Sequence, residues 1–407
     1  MNTKISFSRC WVRAVIAGLL WMVASGPLAG QPKPVFTPSL TLLDGGSAPL
    51  QSLSISKGKL IGPGLPAGLT LDDLRRISLA APGERSAAKP AMIVQLVGGG
   101  RVLGKGVRVA ANECVIDWDA GAPLKIPIDK VRWVRLDTMA PNAEFDKAVA
   151  APAAENDRIF LKVEKQVDSV AALLDSLTEQ EVAFKLEGQI RKAPREKLYG
   201  LVIAQPQGAD DPTRCLLSLQ DGSTLAGDIE SVENGVVSLL LPGDAKLELP
   251  WAAVQSVAIH SHRLTFLSDL NPLEEEQKSI AFVNVPWRRN RSVLGRPLTL
   301  AGQVYERGIG VHAYCKLTFD AGGKFDIFAA TIGLDAETLD KGDCIFSVLG
   351  DGEVLLTQRM QGGEAPRELQ LSIPRIKQLT LLVEPGEGLD LADHADWCDA
   401  RLIRAAK

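Results

Sequence analysis

Two short runs hold the residues best able to do chemistry. They are Gly308-Ile309-Gly310-Val311-His312-Ala313 and, some eighty residues on, Asp393-His394-Ala395-Asp396-Trp397. Two of the four histidines lie in them, beside two carboxylates. An imidazole next to a carboxylate can pass a proton, ligate a metal, or tie two segments together by a hydrogen bond that fixes its tautomer. A nucleophilic or general-base role for His312 would need a nucleophile or second base close by, and the spacing suggests none. The tie is therefore the expected role, with a His312–carboxylate bond joining the two runs.

Such a tie requires strands. If the first run is extended, Ile309 and Val311 project to one face while Gly310 and His312 project to the other. The two glycines leave their face bare for another backbone or a large ring, and Trp397 is a candidate to fill it. In the second run Asp393, Ala395 and Trp397 share one face, with His394 and Asp396 opposite.

The 407-residue chain exceeds what one core usually supports, so two or more domains are expected. Hydrophobic residues at 46% and charged residues at 23% fit a globular protein, and a net charge of −4 offers nothing for nucleic acid. At the N-terminus Lys4, Arg9 and Arg13 precede the apolar run Val15 to Ala24, followed by Ser25, Gly26, Ala29 and Gly30. This is the layout of a signal peptide over 1–30, cleaved near Ala29 or Gly30, with an uncleaved anchor as the alternative. It implies an exported chain, periplasmic or extracellular, with no stable membrane span once the signal is removed. No Cys follows the run, so a lipoprotein site is absent. Cys114, Cys215, Cys315, Cys344 and Cys398 remain; none has C-x-x-C spacing. Export permits one bridge among Cys315, Cys344 and Cys398; the alternative is five small buried hydrophobes.

Residues 31–262 read as hairpin-rich β. Residues 94–136 match 217–259 without a gap at a shift of 123: Leu96 falls on Leu219, Gly104 on Gly227, Val109 on Val232 and Pro127 on Pro250. Fainter copies give anchors near 70, 127, 194 and 250, hence about four units of small-barrel type. Residues 165–180 fit helix or strand equally, and 81–90 and 138–156 read as linkers. No H-E-x-x-H, G-x-S-x-G or phosphate-cradling loop occurs in this region. From 263 to 407 some eight alternating strands separated by Gly-rich turns argue a β-sandwich of jelly-roll type, making the whole chain all-β.

Five runs stand in order in that last third: Leu267-Ser268-Asp269-Leu270, Gly308 to Ala313, Thr331-Ile332-Gly333-Leu334-Asp335, Phe346 to Gly352, and Asp393 to Trp397. Together they closely resemble the NPCBM domain, a carbohydrate-binding-type module often found beside glycoside hydrolases. The resemblance covers about 265–405. It implies a galactose-binding-like sandwich, commonly with a structural calcium, and sugar binding by loops in some members. Leu334-Asp335-Ala336-Glu337 departs from the Asp-Asp pair frequent there, which bears on any ion site near Asp335.

A sugar site needs an aromatic platform with a few convergent polar groups. Trp287, Tyr305, Tyr314 and Trp397 are the candidates, and Arg288, Arg289 and Arg291 could grip sulfate or carboxylate, unless that run is simply a solvated loop. Gly308, Gly310, His312, Asp393, His394, Asp396 and Trp397 are the structural set. Calcium would draw hard oxygens from Asp269, Asp335, Asp390 and Asp393. The expected function is exported, non-catalytic glycan binding, with the repeats as spacer or docking array. A structural or protein-interaction module of the cell envelope is the alternative, favoured by an aromatic content of only 5%. A glycoside hydrolase is the third reading.

Overall fold

The computed structural model describes residues 36–80, 90–136, 141–151, 155–164, 166–205, 214–242, 244–278, 285–387 and 390–405. The expected signal segment 1–30 and most of the expected linker 81–90 fall outside them. Five strands appear in each of four successive sets, because each short apolar alternation is cut by a turn residue. In every set the first strand is flanked by the second and the last. Ser39–Leu42 lies between Ser47–Pro49 and Leu74–Ser78, and Met92–Leu96 between Arg101–Ala110 and Val131–Arg135. Asp157–Val163 and Cys215–Leu219 repeat the pattern. A one-turn 3-10 helix precedes each closing strand, and in three of the sets it follows a proline. That proline ends the preceding strand where its missing N–H costs no ladder bond.

The 123-residue shift holds element by element. Arg101–Ala110 becomes Thr224–Glu233, and Glu113–Trp118 becomes Val236–Leu241. Closing strands join the sets in pairs, Val131–Arg135 to Leu198–Val202 and Leu74–Ser78 to Val254–Ile259. The equivalent residues Arg101 and Thr224 meet across an antiparallel bridge, with the Arg101 N–H donating to the Thr224 hydroxyl at 3.2 Å. One hydrophobic core runs through all four sets. The ambiguous stretch 165–180 is strand, Gln166–Leu177. The expected linker 138–156 instead holds an α-helix, Ala143–Ala150, capped by Asn142. Phe145 on it is buried edge-on against Phe160 and Tyr199, so an aromatic anchor overrides the Ala- and charge-rich composition.

The last third is a two-sheet antiparallel sandwich. One sheet orders Arg288–Arg289, Gly308–His312, His394–Ile403, Ile327–Leu334 and Arg367–Ser372, with Leu264–Phe266 also on His394–Ile403. The other orders Glu274–Gln277, Cys315–Asp320, Gln378–Pro385, Asp343–Gly350 and Glu353–Gln361. The chain crosses repeatedly between the sheets, as a jelly roll does. Phe346 and Trp397 meet edge-on in the shared core at 5.0 Å.

Residues Thr37–Lys407 form one compact unit. The buried Arg401 guanidinium donates to the carbonyls of Leu43, Asp44 and Asp399, and Arg75 pairs with Asp399 at 2.7 Å. Arg263 pairs with Asp73. Cys114, Cys215, Cys315, Cys344 and Cys398 are all free and buried, so no bridge joins the three in the sandwich. Burial pushes the Cys114 and Cys315 thiols up to about 12.

Candidate functional site

The two histidine-bearing runs lie side by side. Gly308–His312 pairs with His394–Ile403 in a register running from Gly308 opposite Cys398 to His312 opposite His394. Directly paired residues project to one face, so Ile309 with Trp397, and Val311 with Ala395, enter the core, where all four are essentially sealed. Trp397 therefore cannot fill the bare glycine face, contrary to expectation. A Cβ on Gly308, whose φ is +150°, would come within 2.8 Å of Leu298, and one on Gly310 within 2.4 Å of the Arg291 carbonyl. Leu298 and the Arg291–Ser292 backbone fill that face.

The expected carboxylate tie exists, but on the other histidine. His394 Nδ1 lies 2.9 Å from Glu337 Oε1, while His312 Nδ1 lies 2.6 Å from the carbonyl of Ala313. His312 ends its strand beside a turn, so its ring folds onto the next carbonyl. His394 is aimed at the one-turn helix Ala336–Thr338. The Glu337 side chain is 2% exposed and also accepts from the Ser292 hydroxyl at 2.8 Å. The order is hydroxyl, carboxylate, imidazole. A serine-nucleophile relay needs the imidazole in the middle, so this order is not such a relay; it ties the loops at 292 and 337 to the strand carrying His394. Glu337 and Ser292 were not foreseen; the only signal for Glu337 was its place in the departure Asp335-Ala336-Glu337.

Asp335 caps that turn, accepting from the N–H groups of Glu337 (2.8 Å) and Thr299 (2.9 Å). Asp396, 1% exposed, has no hydrogen-bond partner on either oxygen among the described residues. Burial first, then the neighbouring carboxylate of Asp335, holds its pKa well above the usual carboxylate range. Protonated, it can donate to Asp335. Asp393 accepts from the Asp343 N–H at 2.8 Å through one oxygen, and the other has no partner among the described residues. Burial pushes Asp393 up to about 6, against the pull of that hydrogen bond and of His312.

The four candidate calcium ligands do not form one oxygen cage. Asp269 is paired with Arg307, Asp335 spends both oxygens on backbone N–H groups, and Asp390 is a charged neighbour of Asp393. Among the described residues no three His, Cys, Asp or Glu side chains converge as a metal site. The donor set does not fit a calcium ion held by these side chains, since calcium takes about six to eight oxygens.

The proposed aromatic platform is dispersed. Trp287 is half-buried at the sandwich edge, donating from Nε1 to Glu275 at 2.9 Å, with the Arg289 guanidinium 5.0 Å above its ring. Tyr314 lies across the edge strand Glu274–Gln277, against Glu276 and Lys278. Glu275 and Glu276 alternate along that strand, so the two rings occupy opposite faces. Tyr305 is elsewhere, packed with Leu298, Leu300 and Cys398. Arg289 is committed to the turn, donating to the carbonyls of Ser268 and Leu270 and to Asn271. Arg288 donates to the Val293 carbonyl, whereas Arg291 is exposed. One end of the sandwich thus brings together half-buried His312 and His394, Glu337 and the loop carrying Arg291.

Residues 263–403 match the NPCBM/NEW2 domain. A relative from Renibacterium salmoninarum, named "Putative endo-alpha-N-acetylgalactosaminidase", is 34% identical over 113 residues, 28% of this chain. The chain spans only 8% of that relative's length. Structural neighbours are CBM51 carbohydrate-binding modules. One, from Clostridium perfringens GH95 in complex with methyl-galactose, is 24% identical with a TM-score of 0.32, covering 34% of this chain and 99% of its own. Another, the CBM51-2 and INT domains of Clostridium perfringens ZmpB, is 25% identical with a TM-score of 0.34, covering 42% and 37%.

Proposed function

We propose, from the premise that residues 263–403 form an NPCBM/NEW2 domain, that this chain is an exported, non-catalytic carbohydrate-binding protein. The sandwich holds a glycan at the loop end formed by His312, His394 and the loop that carries Arg291. The four β units of 31–262 act as spacer or docking array. The observation that carries the reading is the domain match falling on the sandwich whose loop end offers half-buried imidazoles and an exposed guanidinium. Ring N–H groups and guanidinium donors are suited to sugar hydroxyls. A protein partner at the envelope is the second reading, favoured by the dispersal of Trp287, Tyr305 and Tyr314. Among the described residues no helix is long and apolar enough to cross a membrane.

A glycan array probed with the intact chain, in calcium and in EDTA, tests the proposal. It should include N-acetylgalactosamine-terminated glycans, the sugar in the relative's name. Binding that Arg291→Ala and His394→Ala abolish is expected. Silence across neutral and anionic glycans would sink it.

A further inference from the structure

We infer that the cleft between the β-repeat region and the sandwich is a second saccharide site, selective for neutral oligosaccharides and built jointly by both halves. The inference rests on the carbohydrate-binding reading above and adds a site remote from the loop end. The cleft encloses about 710 Å³, within the range of roughly 300–1,000 Å³ typical of small-ligand pockets. Arg75, Arg76 and His260 line it from the repeats, and Gln303, Tyr305 and Glu306 from the sandwich.

Charge selects the ligand class. Three arginines on the wall, Arg75, Arg76 and Arg307, are matched by three carboxylates, Asp399, Glu306 and Asp269. Each arginine is paired: Arg75 with Asp399 at 2.7 Å, Arg76 with Glu306 at 3.5 Å, and Arg307 with Asp269. Each guanidinium is already matched by a carboxylate, so the wall offers a charged ligand no uncompensated charge. A sugar hydroxyl both donates and accepts, so neighbouring hydroxyls can bridge a guanidinium and a carboxylate without separating them. The Arg76–Glu306 pair is open to this, with side chains 44% and 84% exposed. Gln303 adds an amide with the same dual character, and the Tyr305 and Phe266 rings give the wall apolar faces for C–H groups. Pockets at domain junctions are common ligand sites. The Arg75–Asp399 pair in the wall and the Arg401 bonds to the Leu43 and Asp44 carbonyls join the two halves.

Isothermal titration of the intact chain with lactose, N-acetyllactosamine and maltotriose, alongside a sulfated heparin disaccharide, tests this. Gln303→Ala and Glu306→Ala alter exposed side chains of the cleft, and Arg291→Ala alters the loop end. Two neutral-sugar binding events are expected: one weakened at least tenfold by the cleft variants and untouched by Arg291→Ala, and one at the loop end that only Arg291→Ala weakens. Binding that responds only to Arg291→Ala rejects the cleft and leaves the sandwich reading standing. Binding that responds only to the cleft variants keeps the cleft and rejects the loop end. Preference for the sulfated sugar rejects the neutral class, and no heat with any sugar rejects both sites.

Discussion

His312 and His394 stand directly opposite each other across an antiparallel strand pair, ring centroids 5.5 Å apart and planes inclined by 58°. Only His394 reaches a carboxylate, and that carboxylate also holds the Ser292 hydroxyl. The two imidazoles, although symmetric in register, are unequal in what they hold together. His394 ties the central strand to the loops at 292 and 337, whereas among the described residues His312 bonds to its neighbour's carbonyl.

Removing Glu337 should therefore hurt far more than removing His312. Glu337→Ala leaves a buried hydroxyl and an imidazole nitrogen without their acceptor, for a loss of about 3 kcal/mol. Glu337→Gln keeps one acceptor and should lose less than half of that. His312→Ala should lose under about 1 kcal/mol. Urea unfolding of the intact chain measures all three. Equal losses for Glu337→Ala and His312→Ala would refute the assigned tie.

The buried acids set a pH dependence. Asp396 and Asp393 both have folded pKa values above an unfolded value of about 3.9. The folded state then binds more protons, so stability falls as pH rises from about 4 through the Asp393 value of about 6. Asp396→Asn removes the charge that becomes costly. It should hold or raise the melting temperature at pH 7.5 and flatten the decline between pH 4 and 7. A lowered melting temperature at pH 7.5, reproduced in the native chain by EDTA, would instead mean that a cation bridges Asp335 and Asp396.

Period-two alternation made the sandwich strands legible, and the 123-residue shift made the repeat legible, because both are one-dimensional signals. The pairing of the two histidine runs followed from their motifs. The partners did not. Which carboxylate meets which imidazole depends on where a one-turn helix lands, and no local pattern encodes the Glu337–His394 contact 57 residues apart. Trp397 was assigned to the glycine face because parity along one strand is silent about which face its partner presents. The Ala143–Ala150 helix was missed since a single buried ring, Phe145, holds it. The inter-domain cleft was invisible for the same reason: its pairs join residues as far apart as Arg75 and Asp399.

Arg401 should control whether the halves unfold together. It is 5% exposed and donates to three backbone carbonyls from two halves of the chain. Burial lowers its pKa to about 10, but the group stays charged at neutral pH. Arg401→Ala strands those carbonyls, while Arg401→Lys supplies a point charge that cannot reproduce the planar fork. Calorimetry should show one transition for the native chain and two for Arg401→Ala, with Arg401→Lys between. A single unshifted transition in Arg401→Ala would show that the domains are held by other contacts.

Equivalent glycines of the repeat should respond differently to alanine. Gly104 and Gly227 occupy the same position in their units, and neither has a backbone conformation that excludes a side chain. An added Cβ at 104 would meet the tip of Met92 at 3.1 Å and a methyl of Ile116 at 3.2 Å. Methionine is flexible enough to give way, and the entropy lost by the unfolded chain offsets the squeeze by about 0.4–1 kcal/mol. At 227 the same Cβ would meet the Leu240 carbonyl oxygen at 2.5 Å and Leu239 at 3.0 Å. A paired backbone carbonyl cannot retreat without opening the ladder between Thr224–Glu233 and Val236–Leu241. Gly104→Ala should thus be within about 0.5 kcal/mol of neutral, and Gly227→Ala destabilising by about 2–3 kcal/mol. Chemical denaturation of both variants checks this. Similar losses at the two sites would mean that the repeats pack alike and that the close approach to Leu240 is not intrinsic to the fold.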